Sequence, residues 1–238
     1  MKALFYWVFL LFVLSCKRES SDTVSPAYPD WHTVTAPIDK EIQGVWGDWD
    51  KTLIISTMSE LFRTTDQGKT WQPVHQSSIG IFTVVEYRDT LFTMTGLHGY
   101  KTVFDADHYS VDDGKTWQRY TRYNPVFDNA VELKDNAFWI NPVTTSHGLT
   151  YRINQVFLDG PTATTGLYET PGVVTSDGRR IDLPQLHQLR SLYLDTKGRL
   201  YIAGTDAVCG RGHSGEKFAF CNSKNGRGVV YISKKPLP

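Results

Sequence analysis

Apolar side chains come in short runs along this chain, each run cut by a polar turn. Four stretches share one form: GVWGDWDKTLIIST (44–57), FTVVEYRDTLFTMTG (82–96), NAVELKDNAFWINPV (129–143) and LRSLYLDTKGRLYIAG (189–204). Each reads as strand, Asp-containing turn, strand, with alternating or continuous apolar positions around the turn. Apolar residues on both sides of a strand suit inner strands covered on both faces. No stretch carries the 3.6-residue periodicity of a long amphipathic helix. The pattern predicts an all-β chain built from repeated hairpins.

Two of the segments between these hairpins repeat residue by residue. TTDQGKTW (64–71) and SVDDGKTW (110–117) both fit Ser/Thr-x-Asp-x-Gly-x-Thr-Trp. Their offset of 46 residues is the length of one propeller blade. The chemistry is local. Thr64, Ser110, Asp66 and Asp112 exchange hydrogen bonds with turn backbone. Gly68 and Gly114 take a positive φ. Thr70 and Thr116 lead into an outer strand, and Trp71 and Trp117 are expected to cover the seam between neighbouring sheets. This pattern resembles the Asp-box, or bacterial neuraminidase repeat, found in sialidases, sortilin-type receptors, photosystem assembly factors and other propellers. The resemblance implies a hairpin between the outer two strands of a blade, so Asp66 and Asp112 are structural before anything else. A degenerate third box is Thr175-Ser176-Asp177-Gly178, followed by RRIDLP in place of the Thr-Trp strand.

The last unit ends in VVYISKKPLP, where an outer strand runs out of chain. Asp30-Trp31-His32-Thr33-Val34 resembles the strands that follow both boxes, and Trp31 lies 40 residues before Trp71. Residues 31–35 are therefore expected to supply the outer strand of the final blade and leave no long bare edge. The inner hairpins predict a small propeller of four blades. The long stretch 144–188, with YRINQVFLDG, leaves five as the alternative.

The chain opens with MKALFYWVFLLFVLSC. One cation precedes an apolar run shorter than the roughly 20 residues a helix needs to span a bilayer, the form of a secretory signal. Val13-Leu14-Ser15-Cys16 resembles the lipobox of bacterial lipoproteins, which implies cleavage before Cys16 and acylation of that residue. The expected layout is a signal peptide over 1–15, a lipidated Cys16 with a polar tether over 16–29, and one propeller domain over 30–238. The implied location is the bacterial cell envelope, anchored to a membrane and facing periplasm or exterior. By resemblance to the sorting rules of some bacterial lipoproteins, Lys17 rather than Asp after the Cys does not imply retention in the inner membrane, so the outer membrane is favoured and the inner remains an alternative.

Composition narrows the partners. Lys and Arg number 25, matching 25 Asp and Glu, so the formal charge is zero. A general electrostatic grip on nucleic acid is therefore not expected. Aromatic residues reach 13%. Such a share of large apolar rings excludes a disordered tail. Of 3 Cys, assigning Cys16 to lipid leaves Cys209 and Cys221. An even remainder in an exported chain is read as a disulfide.

Candidate chemistry is sparse. Tyr151-Arg152-Ile153-Asn154 resembles the Phe/Tyr-Arg-Ile-Pro motif of sialidases, whose Arg binds the substrate carboxylate. Asn154 replaces the Pro, and the motif follows both good boxes instead of preceding them. Gly210-Arg211-Gly212-His213-Ser214-Gly215 matches G-x-G-x-x-G, but no helical pattern follows as dinucleotide binding requires. It reads as a loop inserted between strands, where binding residues commonly sit. Candidate binding residues are Arg152, Arg211 and His213. The seven His lack metal-ligand spacing, so no metal or cofactor is expected, and no catalytic set is assembled. The expected function is a membrane-tethered, non-enzymatic propeller that binds or scaffolds a cell-envelope protein, peptide or glycan. An assembly or immunity-type partner protein is a variant of that reading. The alternative is a reduced sialidase-like glycoside hydrolase.

Overall fold

The computed structural model describes residues 29–122, 138–157, 159–166, 168–205 and 227–237, without the side chains of 184–187. Among these residues every regular element is a strand. The first sheet has the order β2 (Gly44–Gly47), β3 (Leu53–Ser56), β4 (Glu60–Thr64), β5 (Gln72–Gln76). The second contains β6 (Thr83–Tyr87), β7 (Thr90–His98), β8 (Thr102–Ser110) and β9 (Gln118–Arg119). Both are antiparallel meanders, with an Asp-box between the third and fourth strands.

A seven-stranded path contains the other two blades. They meet in one long strand, β14 (Arg180–Leu194). Its first part pairs with β13 (Tyr168–Thr175), which pairs with β12 (Thr150–Phe157) and then β11 (Val143–Thr144). Its second part pairs with β15 (Leu200–Thr205), which pairs with β16 (Gly228–Ser233). The outermost strand is β1 (Trp31–Thr35), antiparallel to β16 with Trp31 opposite Ser233 and Val34 opposite Val230. The first strand of the domain thus completes the sheet that the last strand leaves open.

Alternation along the strands builds the ring. Successive side chains point to opposite faces of a sheet. Leu53 and Ile55 pack toward the final blade while Ile54 packs toward the second. Val84 joins the seam with the first blade, and Val85 joins the cluster on the other side. Leu200 and Ile202 face the third blade, Tyr201 and Ala203 the first. The result is three apolar clusters that join the first blade to the second, the third to the final, and the final back to the first, with a fourth on the other face of the second blade that takes in Ile140. The molecule is a four-bladed β-propeller.

The third blade departs from the sequence expectation. The described part of 129–143 does not form its inner hairpin. Within that stretch, β10 (Phe138–Trp139) pairs with Val103 and Thr102 of β8, and the inner hairpin is β11–β12 across the turn at 145–149. A short apolar run satisfies any sheet edge that offers it hydrogen bonds, so pattern alone does not choose its partner. Residues 129–137 lie outside the described residues.

Candidate functional site

The ring has two ends with different chemistry. At one end lie the turns at 48–52, 64–71, 87–90, 110–117, 145–149, 175–179 and 195–199. At the other end, called here the loop end, lie 36–43, 57–59, 77–82 and 99–101.

The Asp-box end is cross-linked by its own carboxylates. Thr64 Oγ1 donates to Asp66 Oδ1 at 2.7 Å and accepts from the Gly68 N–H at 3.1 Å. Asp66 accepts from the Thr70 N–H at 2.9 Å and the Thr70 hydroxyl at 2.5 Å. Hydrogen bonds to a carboxylate favour its charged form. These donors, the Thr70 hydroxyl first, hold the Asp66 carboxyl at about 2. The second box repeats the cage: Ser110 Oγ meets Asp112 Oδ1 at 2.8 Å, and Asp112 accepts from the Thr116 N–H and hydroxyl at 3.0 and 2.7 Å. The Thr116 donors depress the Asp112 pKa strongly. Trp71 packs on the seam with the final blade and Trp117 on the seam between the first two. In the degenerate box, Thr175 donates to Asp177, and Arg179 Nε takes the place of the missing Thr at 2.9 Å.

Two polar networks bridge seams at this end. Arg63 of β4, almost fully buried, donates to Asp113 Oδ2 at 2.6 Å and to its carbonyl at 2.8 Å, with Thr52 donating to the same carboxylate. Between the final and first blades, Arg199 donates to Asp195 at 2.6 Å, Asp50 at 3.0 Å and Asp48 at 2.5 Å. Lys197 pairs with Asp50 at 2.6 Å and Asp48 at 3.0 Å. Tyr201 donates its hydroxyl to Asp195 and accepts from the Trp49 N–H, both at 2.9 Å. Burial opposes the Arg199 charge, but Asp195 and its fellow carboxylates outweigh that and raise its pKa. Burial also opposes the Asp48 charge, yet the Asp50 N–H, Lys197 and Arg199 lower its pKa overall. Hydrogen bonding to Asp50 raises Lys197. Burial pushes the Tyr193 phenol, beside the axis near Gly47, up to about 12.

A cavity of about 440 Å³ lies between Trp139, Pro142–Thr144 and Leu192–Leu194. It shares Thr144 and Leu194 with a cleft of about 740 Å³ that opens at the Asp-box end, beside His147, Lys197 and Leu237.

The loop end is organised differently. Three consecutive residues pin the crossover from the final to the first blade: Asp39 to Arg227 at 3.0 Å, Lys40 to Glu60 at 3.2 Å, and Glu41 to Arg190 at 2.5 Å. Large apolar side chains stand out at this end as well. Among the described residues the exposed large hydrophobics are Met58 (47%), Ile79 (52%), Tyr100 (70%), Trp139 (49%), Val156 (39%) and Val111 (70%). All except Val111 lie at or toward the loop end. Met58 and Ile79 sit together, because the Ile81 N–H donates to the Met58 carbonyl and Gly80 packs under the Met58 sulfur.

Arg152 projects from β12, exposed and opposite Val174, while Tyr151 and Ile153 turn into the core. It lines neither this cavity nor the cleft. Cys16, Cys209, Cys221, Arg211 and His213 lie outside the described residues; the segment carrying Arg211 and His213 leaves β15 after Thr205, at the loop end. Among the described residues no group of three His, Cys, Asp or Glu is placed to hold a metal ion. Spacing did not reveal the Asp48–Arg199 network, whose members lie about 150 positions apart. The available signal was that DWDK and DTKGR both fill turns between the first two strands of a blade.

The BNR/Asp-box repeat model matches residues 62–73 and 108–119, and the chain carries these repeats. No curated protein sequence matches the chain. Among solved structures, YCF48 bound to D1 peptide is similar over 87% of this chain and 96% of its own, at 11% identity and a TM-score of 0.40. YCF48 from Cyanidioschyzon merolae is similar over 86% and 98%, at 11% identity and a TM-score of 0.38. A putative gluconolactonase is similar over 90% and 95%, at 12% identity and a TM-score of 0.36. The propeller assignment rests on this chain's own strand pairing and seams.

Proposed function

We propose that this protein is a membrane-tethered, non-enzymatic binding module of the cell envelope. It is acylated at Cys16, held by the polar tether, and takes a protein or peptide on its loop end. The observation that carries this is the division of labour between the two ends. Asp48, Asp66, Asp112, Asp113, Asp195, Arg63 and Arg199 at the Asp-box end are committed to turns and seams. At the other end Met58, Ile79, Tyr100 and Trp139 stand exposed, and the crossover carries a belt of charged pairs. Exposed apolar anchors rimmed by polar groups are the composition of a protein-binding surface. A glycan is the second candidate occupant, since Tyr100 and Trp139 offer aromatic faces.

The test is co-purification from detergent-solubilised envelopes. A stoichiometric partner is expected with the intact chain and is lost in the double variant Met58→Asp/Ile79→Asp at unchanged melting temperature. Retention of the partner by that variant contradicts the assignment to the loop end. Turnover of aryl glycosides, sialosides included, would instead support the hydrolase reading. Intact mass of the mature chain reads the anchor: acylation on an N-terminal Cys16 is expected.

A further inference from the structure

We infer that the space between the third and final blades is a binding site for a short neutral oligosaccharide. The site shares Trp139 with the loop-end surface proposed above but does not depend on that reading.

The first observation is one continuous space with two kinds of wall. Its inner part is the cavity of about 440 Å³ between β11 and the end of β14, walled by Trp139, Pro142, Val143, Leu192 and Leu194. That volume falls in the range of small-molecule sites, about 300–1,000 Å³. At Thr144 and Leu194 it meets the cleft of about 740 Å³. The cleft carries polar side chains. Thr145, Ser146 and His147 come from the turn of the third blade, and Thr196 and Lys197 from the turn of the final blade.

The second observation is the charge of these walls. None of the residues lining the inner cavity is ionised, since burial pushes the Tyr193 phenol up to about 12. In the cleft, Asp195 and Lys197 have opposite signs and each is already paired. Asp195 binds Arg199 at 2.6 Å, and Lys197 binds Asp50 at 2.6 Å and Asp48 at 3.0 Å. A charged ligand would find no unpaired counter-ion here, and burying an uncompensated charge is costly.

The third observation is a set of neutral hydrogen-bonding groups. Ser146, His147 and Thr196 are exposed and make no side-chain hydrogen bond among the described residues. The Thr145 hydroxyl accepts from the Leu149 N–H at 3.2 Å and keeps its own proton for a ligand. Hydroxyls both donate and accept, so these groups match the hydroxyl rim of a sugar. The half-exposed Trp139 offers an aromatic face to the apolar C–H face of a sugar ring. A purely apolar ligand would leave the cleft donors unused. A peptide would carry backbone N–H and C=O groups into the inner cavity, where Thr144 and the Tyr193 phenol are the polar side chains.

The experiment uses the full chain in detergent micelles. Cellotriose, maltotriose and triacetylchitotriose are titrated by calorimetry and by saturation-transfer NMR. An equimolar complex with at least one of them is expected. Trp139→Ala is expected to weaken it about tenfold or more. Thr144→Trp, which fills the junction of cavity and cleft, is expected to abolish it, both at unchanged melting temperature. Thr196→Val, on an exposed turn, is expected to weaken it by less. The Met58→Asp/Ile79→Asp variant is expected to keep the full sugar affinity, so that this site and the loop-end surface are read separately. Failure of all three sugars to bind at millimolar concentration overturns the site. An affinity that Trp139→Ala and Thr144→Trp both leave unchanged overturns its location. Tighter binding of trigalacturonate, or of the blocked dipeptide acetyl-phenylalanyl-leucinamide in competition with the sugar, overturns the ligand class.

Discussion

Gly114 of the second Asp-box lies against Ile54 of the preceding blade so closely that a Cβ at Gly114 would fall 2.2 Å from the Ile54 Cδ1. The same relation holds for the first box, where a Cβ on Gly68 would fall 2.5 Å from Val34 of β1. The box glycines thus serve two needs. They take a positive φ, +78° at Gly68 and +73° at Gly114. They also let the turn seat on its neighbour, which a side chain at either position would prevent. Gly114→Ala is expected to destabilise by about 2–4 kcal/mol, combining backbone strain with an overpacked seam. Gly148→Ala supplies the control. Its φ is +85°, but nothing lies within 4 Å of the added Cβ. Only the left-handed backbone strain remains there, about 1 to about 2 kcal/mol. Urea unfolding of the two variants separates the contributions.

Asp195 is the hub of the final seam. Its carboxylate, 1% exposed, accepts from Arg199, the Tyr201 hydroxyl and the Lys197 and Arg199 N–H groups. Asp195→Ala leaves a buried guanidinium and phenol short of an acceptor and is expected to cost about 3 kcal/mol or more. Asp50 is a half-exposed partner of the same Arg199. Its removal in Asp50→Ala is expected to cost less than about 1 kcal/mol. Chemical unfolding midpoints of both variants check the ranking.

His75 gives the fold a dependence on pH. It faces His108 with ring centroids 4.2 Å apart, its Nε2 is buried without a partner, and Asp107 binds His108 at 2.8 Å. Burial, then the His108 charge, lowers the His75 pKa, with Asp107 opposing. The folded chain therefore resists a proton that the unfolded chain accepts near its ordinary value of about 6.5. The stability contributed is present above that value and is lost as pH falls below it. His75→Gln is expected to narrow the difference in melting temperature between pH 7 and pH 5. His32, also lowered by burial, contributes in the same direction. An unchanged difference would show that His75 does not titrate in this way.

The β1 strand is structural although it stands at the edge of the domain sequence. Val34 is 4% exposed and seats against Gly68. Deleting residues 30–36 would bare the edge of β16 and open the seam holding Trp71, so a loss of cooperative unfolding is expected. Deleting 17–27 is expected to leave the melting temperature unchanged. Equal effects would contradict the closing role of β1.

What could be read from the sequence follows the range of the interactions. Each Asp-box was legible because Thr64 to Trp71 encode their turn among themselves, within eight residues. The hairpin at 189–204 was legible because its strands and its Asp195 turn are contiguous. The partner of β10 was not, since Phe138 and Trp139 carry the same apolar signal whether they pair within a hairpin or with β8. The seam networks were equally hidden. Arg63 reaches Asp113, and Arg199 reaches Asp48, only after the ring has closed.

The central claim is that the loop end, not the Asp-box end, meets the partner. Ile79 and Val111 are exposed large apolar residues at opposite ends, at 52% and 70%. A photo-crosslinking amino acid placed at each position in turn, in cells carrying the full chain, tests the claim most directly. A discrete crosslinked product from position 79 and none from position 111 is the predicted result. A product of the same mass from position 111, with none from 79, would contradict it.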